Sequence, residues 1–98
     1  MAGQKAERLF YSREDFGDGT ILELSIWVLP HSLPPSQHLF RYRLFFGRPG
    51  NRLVGFDNER GKGDHKHIRE VESPYVFTTP DALVQDFLAD VKAIKEEK

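Results

Sequence analysis

The sequence predicts an α+β fold: a small, mainly antiparallel β-sheet with one face covered by a C-terminal amphipathic helix. Three observations predict it. Apolar residues alternate at period two through several short runs in the first part of the chain. Glycine and proline clusters separate those runs. After Thr79 the apolar spacing changes to that of a helix and does not change back. The 98 residues amount to one domain, 1–98, with a modest core.

The elements follow in order. "RLFYSREDF" reads as a weak first strand, and Gly17-Asp18-Gly19 after it as a tight turn. "TILELSIWVL" is the clearest strand. Thr20, Leu22, Leu24, Ile26 and Val28 share one face and belong to the core; Ile21, Glu23, Ser25, Trp27 and Leu29 share the other. The prolines of "PHSLPPSQH" exclude a central strand there, so this is a loop. In "LFRYRLFFG", Phe40, Tyr42, Leu44 and Phe46 point inward, while Arg41, Arg43 and Phe45 point outward. "GRPGN" is a turn joining this strand to "RLVGFDN" as a hairpin. "ERGKGD" is a loop, "HKHIREV" extended, and "SPYVFT" a last short strand. Thr79 as N-cap, Pro80 at the first position and Asp81 in the first turn start a helix over about 80–96. Its stripe of Leu83, Phe87, Val91 and Ile94 faces the sheet. A single helix on one side leaves the opposite sheet face, with Arg41 and Arg43, open.

Composition narrows the function classes. No cysteine is present, which excludes disulfides, thiolate chemistry and cysteine-ligated zinc. "MAGQKAERLF" lacks the apolar core of a signal peptide, and "ILELSIWVLP" is half a membrane span and contains Glu23. The expectation is a cytoplasmic protein with no membrane partner. The net charge of −1 conceals an asymmetry. Arg41 to Arg69 holds eight cations (Arg41, Arg43, Arg48, Arg52, Arg60, Lys62, Lys66, Arg69) against three acids; the rest holds six cations against twelve acids. A basic middle of +5 within a near-neutral chain points to an anionic partner, phosphate or nucleic acid first.

The densest chemistry lies in "RGKGDHKHI", residues 60–68. Gly61 and Gly63 flank Lys62, and such a loop can bring backbone N–H groups to a phosphate. It is neither a Walker A sequence nor a Rossmann turn. On a strand, His65 and His67 project to one face. Two adjacent imidazoles are a metal pair or an acid–base pair. A metal wants a third ligand, and Asp57, Asp64, His31 and His38 all lack diagnostic spacing. Acid–base cleavage of RNA fits better. It needs a base for the 2′-hydroxyl, an acid for the departing 5′-oxygen, and cations around the phosphorane. Trp27 is the candidate base-stacking aromatic. Glu14, Asp15 and Asp18 read as a solvated acidic turn rather than a Mg²⁺ site.

"YRLFFGRPGNRLVGFDNERGKGDHKHI", followed by "PYVFTTPDALVQDFLADV", resembles the TumE-like family of small bacterial proteins. The resemblance covers about Thr20 to Val91 and is most specific at "DNERGKGDHKH". Family members usually carry arginine between the two histidines, where this chain has Lys66. The resemblance implies a toxin of a toxin–antitoxin module, encoded beside a helix-turn-helix antitoxin that neutralises it. By analogy with other small α+β toxins, the expected target is RNA, including messenger RNA at the ribosome.

The resulting expectation is a metal-independent endoribonuclease that uses no cofactor. His65, His67, Lys62 and Arg60 are the candidate catalytic residues. Arg41, Arg43, Lys66, Arg48 and Trp27 are the candidate RNA-binding residues. A homodimer through an exposed strand edge is a further expectation. A non-catalytic module that binds nucleic acid or the antitoxin stays open as the alternative.

Overall fold

A computed structural model describes residues 5–59 and 61–97. Six strands form one antiparallel meander in the order β1-β2-β3-β4-β5-β6. They are β1 (Glu7–Asp15), β2 (Ile21–Val28), β3 (Phe40–Arg48), β4 (Asn51–Glu59), β5 (Gly63–Ile68) and β6 (Val71–Pro74). One helix, α1 (Pro80–Lys95), follows. The α+β architecture read from the sequence is the one observed.

Alternation builds the core as expected. Leu24, Ile26, Tyr42, Leu44 and Phe46 are buried on one face of β2 and β3, and β4 adds Val54 and Phe56. Leu83, Phe87, Val91 and Ile94 of α1 close over them, with the Phe87 ring edge-on to Phe56 at 5.6 Å. Each such side chain contributes roughly 1.5–3 kcal/mol on leaving water. Thr79 caps α1, its hydroxyl accepting from Ala82 N–H at 3.1 Å, and Lys92 and Lys95 face the negative end of the helix dipole.

The end of the chain's β region differs from expectation. The last strand is Val71–Pro74, and Tyr75–Thr79 lies outside the sheet. Tyr75 and Phe77 still pack against the core while Val76 is exposed, so the segment alternates like a strand. Apart from the Tyr75 N–H, which donates to the Asp64 carbonyl of β5 at 3.2 Å, it adds no rung to the sheet, because it carries the chain back to α1. The true partner of β5 is formed by a two-residue turn at Arg69-Glu70, which sets Ile68 opposite Val71 and His67 opposite Glu72. Arg69 takes a φ of +54°, a conformation usually given to glycine or asparagine.

A polar latch holds the proline loop on the helix side of the sheet. Asp64 accepts from Ser36 Oγ at 3.0 Å and Tyr42 OH at 2.7 Å, and its Oδ1 lies 2.7 Å from His38 Nε2. Because His38 Nδ1 accepts from Phe40 N–H, its Nε2 carries the proton given to Asp64. Burial and the Asp64 carboxylate push the Tyr42 phenol above its ordinary pKa. Beside the latch, the buried Asn58 amide accepts from Tyr42 N–H at 2.9 Å and donates to Phe40 carbonyl at 2.8 Å. It thus takes the place of a ladder partner for the start of β3.

Candidate functional site

The open sheet face is built from two rows of cross-strand neighbours. One runs Ser25, Arg43, Asp57, His65, Pro74; the next runs Glu23, Phe45, Gly55, His67, Glu72. Register alone therefore brings His65, His67, Asp57 and Glu72 together, and β3 contributes Arg43 alongside.

Glu72 is the hub of the cluster. Its Oε2 lies 3.4 Å from His65 Nε2, 3.3 Å from His67 Nε2 and 3.3 Å from Lys62 Nζ. The Lys62 hydrogen bond holds the Glu72 carboxyl below its ordinary pKa. His65 is buried, and its Nδ1 donates to the Gly63 carbonyl at 3.0 Å. Its Nε2 therefore faces Asp57 Oδ1 at 2.5 Å as well as Glu72. The pair with Asp57 is close but not aligned as a hydrogen bond, so Asp57 Oδ1 is buried with no donor. A ring nitrogen facing two carboxylates calls for positive charge between them, either a proton or a metal ion.

Beside the cluster lies an open groove of about 570 Å³ lined by Arg43, Phe45, Arg52, His67 and Arg69. Gly55 makes it possible. The Arg52 side chain lies where a Cβ at position 55 would be, so any larger residue would push the guanidinium away. Arg52 Nε is buried without a hydrogen-bond partner. Burial first, and then the Arg52 charge, lower the pKa of His67 from its ordinary value, opposed by Glu72 and Asp57. The imidazole is therefore neutral at physiological pH.

The candidate residues divide between the two faces. His65, His67 and Lys62 meet at Glu72, and Arg43 lines the adjoining groove. Arg41 is exposed on the same face but faces Trp27 on β2. Trp27 is half-buried, gives its indole N–H to Ser25, and has the Arg8 guanidinium over its ring at 4.5 Å. Arg48 donates to the Asp18 carbonyl at the far end of β3. Lys66 lies on the helix side, bonded to Asp90 at 3.1 Å and over the Phe56 ring. Arg60 lies outside the described residues. Among the third ligands considered from sequence, Asp64 and His38 are taken up in the latch. The third group beside the histidines is Glu72. Sequence pattern singles out neither Glu72 nor Arg52, since the Arg69-Glu70 turn that places Glu72 opposite His67 carries no glycine to mark it.

A family model described as Toxin TumE matches residues 5–95. No curated protein and no solved structure matches the chain. No helix among the described residues is long and apolar enough to cross a membrane.

Proposed function

The chain belongs to the TumE toxin family, which makes it the toxin of a toxin–antitoxin module with an antitoxin partner, and we propose that it inhibits growth by cleaving RNA on the open sheet face without a metal. The observation that carries this reading is the groove in which a neutral His67 stands among Arg43, Arg52 and Arg69, with Phe45 available to stack on a base.

The roles follow from the pairings around Glu72. His67 Nε2–H faces the Glu72 carboxylate, which fixes the ring and leaves Nδ1 as the base. Nδ1 removes the 2′-hydroxyl proton, the 2′-oxygen attacks phosphorus, and the bond to the 5′-oxygen breaks. The products are a 2′,3′-cyclic phosphate and a 5′-hydroxyl. Lys62, exposed and protonated on Glu72, gives the departing oxygen its proton. His65 Nδ1 is bonded to the Gly63 carbonyl and its Nε2 is turned in between Asp57 and Glu72, so it supports Glu72 rather than acting as the base. Arg43 and Arg52 carry the phosphorane charge, Arg69 being paired with Glu97.

A second reading draws on the same internal pairing. Lys62, His65 and His67 already satisfy one another through Glu72, which suits a surface that binds RNA without cutting it. Incubating the purified chain with end-labelled RNA separates the two. Discrete fragments ending in 2′,3′-cyclic phosphate, absent when the RNA carries 2′-deoxy substitutions, are expected. Retarded but intact RNA would establish binding alone.

A further inference from the structure

We propose that His65, His67 and Glu72 form a four-coordinate site for a zinc-class divalent ion, and that occupancy of this site silences the toxin. The geometry points to it in three independent ways. First, ligand atoms about 2.0–2.2 Å from zinc stand about 3.3–3.5 Å apart at tetrahedral angles. Glu72 Oε2 lies 3.4 Å from His65 Nε2 and 3.3 Å from His67 Nε2, and one ligand atom from each of the three residues falls within 4.8 Å of the others. Second, His65 is held in the tautomer that a metal requires. Its Nδ1–H is spent on the Gly63 carbonyl, which turns the Nε2 lone pair toward the cluster, the usual support of a metal-bound imidazole. Third, the negative charge converging there is undercompensated. Asp57 Oδ1 is buried without a donor, and among the described residues the one permanent cation bonded to Glu72 is Lys62, itself exposed.

Asp57 is not counted as a ligand. At 2.5 Å from His65 Nε2 it is nearer than two ligands of one ion stand, so it supplies charge beside the ion. Three protein ligands leave a fourth position for solvent. An arriving ion displaces the Lys62 ammonium from Glu72 and takes the Nε2 lone pair of His67. The His67 proton then resides on Nδ1, and neither nitrogen can accept another.

The silencing rests on the function proposed above; the site itself does not. The full chain, stripped with EDTA and dialysed, is titrated with Co²⁺ and followed by visible absorption. Intense four-coordinate bands that Zn²⁺ bleaches are expected. His67→Ala and Glu72→Gln should each weaken Co²⁺ binding by more than about 10-fold while circular dichroism is unchanged, and Glu59→Gln at the exposed end of β4 should not weaken it. Weak six-coordinate bands, or equal binding by all variants, would overturn the site. RNA cleavage is read on the same samples. Activity in the stripped chain that stops on adding Zn²⁺ supports the silencing, whereas activity that requires Zn²⁺ overturns it. Because the spectra are read without RNA, a chain that cuts no RNA in either state but gives the bands retains the site and loses the ribonuclease reading.

Discussion

At the scale of the residue, the environment of His67 matters more than the number of histidines near it. The groups facing its imidazole are Arg52 and Asp57 on β4, His65 on β5 and Glu72 on β6. Burial and Arg52 prevail, so the folded-state pKa lies below the ordinary value of about 6.5. Cleavage by the metal-free chain should therefore persist as pH falls through 6.5 (roughly the unfolded value) and decline only lower, as Nδ1 is protonated. Arg52→Gln should move that midpoint upward. A midpoint at or above 6.5 (the approximate ordinary value), indifferent to Arg52→Gln, would exclude His67 as the base. The same shift makes a stability statement. Between the folded and unfolded values the unfolded chain binds more protons, so folding stability falls as pH drops through that window. His65, read from sequence as sharing the acid and base roles, has Nδ1 bonded to the Gly63 carbonyl and Nε2 turned in between Asp57 and Glu72, and only the register of β4, β5 and β6 shows this.

At the scale of the element, the motif residues between the strands are mostly structural. Asn58 and Asp64 hold the start of β3 and the proline loop in place, and neither reaches the open face. Asn58→Ala leaves the Phe40 carbonyl and the Tyr42 N–H buried and unpaired, each costing about 1–3 kcal/mol. Chemical denaturation should show a loss of roughly 2–6 kcal/mol. Asn58→Asp keeps the acceptor for Tyr42 but sets a carboxylate oxygen against the Phe40 carbonyl, so it should regain stability as pH falls and the carboxyl is protonated. A loss that does not change with pH would mean that the donor to Phe40 contributes nothing. β2 and β3 could be read from sequence because each alternates through a full strand and each buries one face. The β5–β6 hairpin could not, because Arg69-Glu70 carries no glycine, asparagine or proline to mark the turn. Missing that turn concealed Glu72, since only the hairpin places it opposite His67. Arg52 was concealed for another reason: its path over Gly55 is a packing fact with no periodic signature.

At the scale of the whole molecule, the basic middle of the chain is divided by the sheet. Arg41, Arg43, Arg52, His65 and His67 lie on the open face, while Lys66 is neutralised by Asp90 of the acidic helix. The groove offers Arg43 and Arg52 to phosphates, whereas Arg69 is paired with Glu97. RNA binding should thus weaken with salt with a log–log slope of about −1.4, and Arg52→Ala should reduce it by about 0.7. Lys66→Ala should leave the slope unchanged, and a fall matching that of Arg52→Ala would place Lys66 at the RNA after all. Charge summed along the sequence located this region but not its two faces, because alternation sends neighbouring cations to opposite sides. The most direct test of catalysis on the open face compares the wild type with His67→Ala in the same two assays, growth arrest and single-turnover cleavage of end-labelled RNA. The expected result is a folded variant that still binds RNA, no longer arrests growth, and cleaves about 10²–10⁴-fold more slowly. A His67→Ala protein that cleaves RNA and arrests growth like the wild type would contradict it.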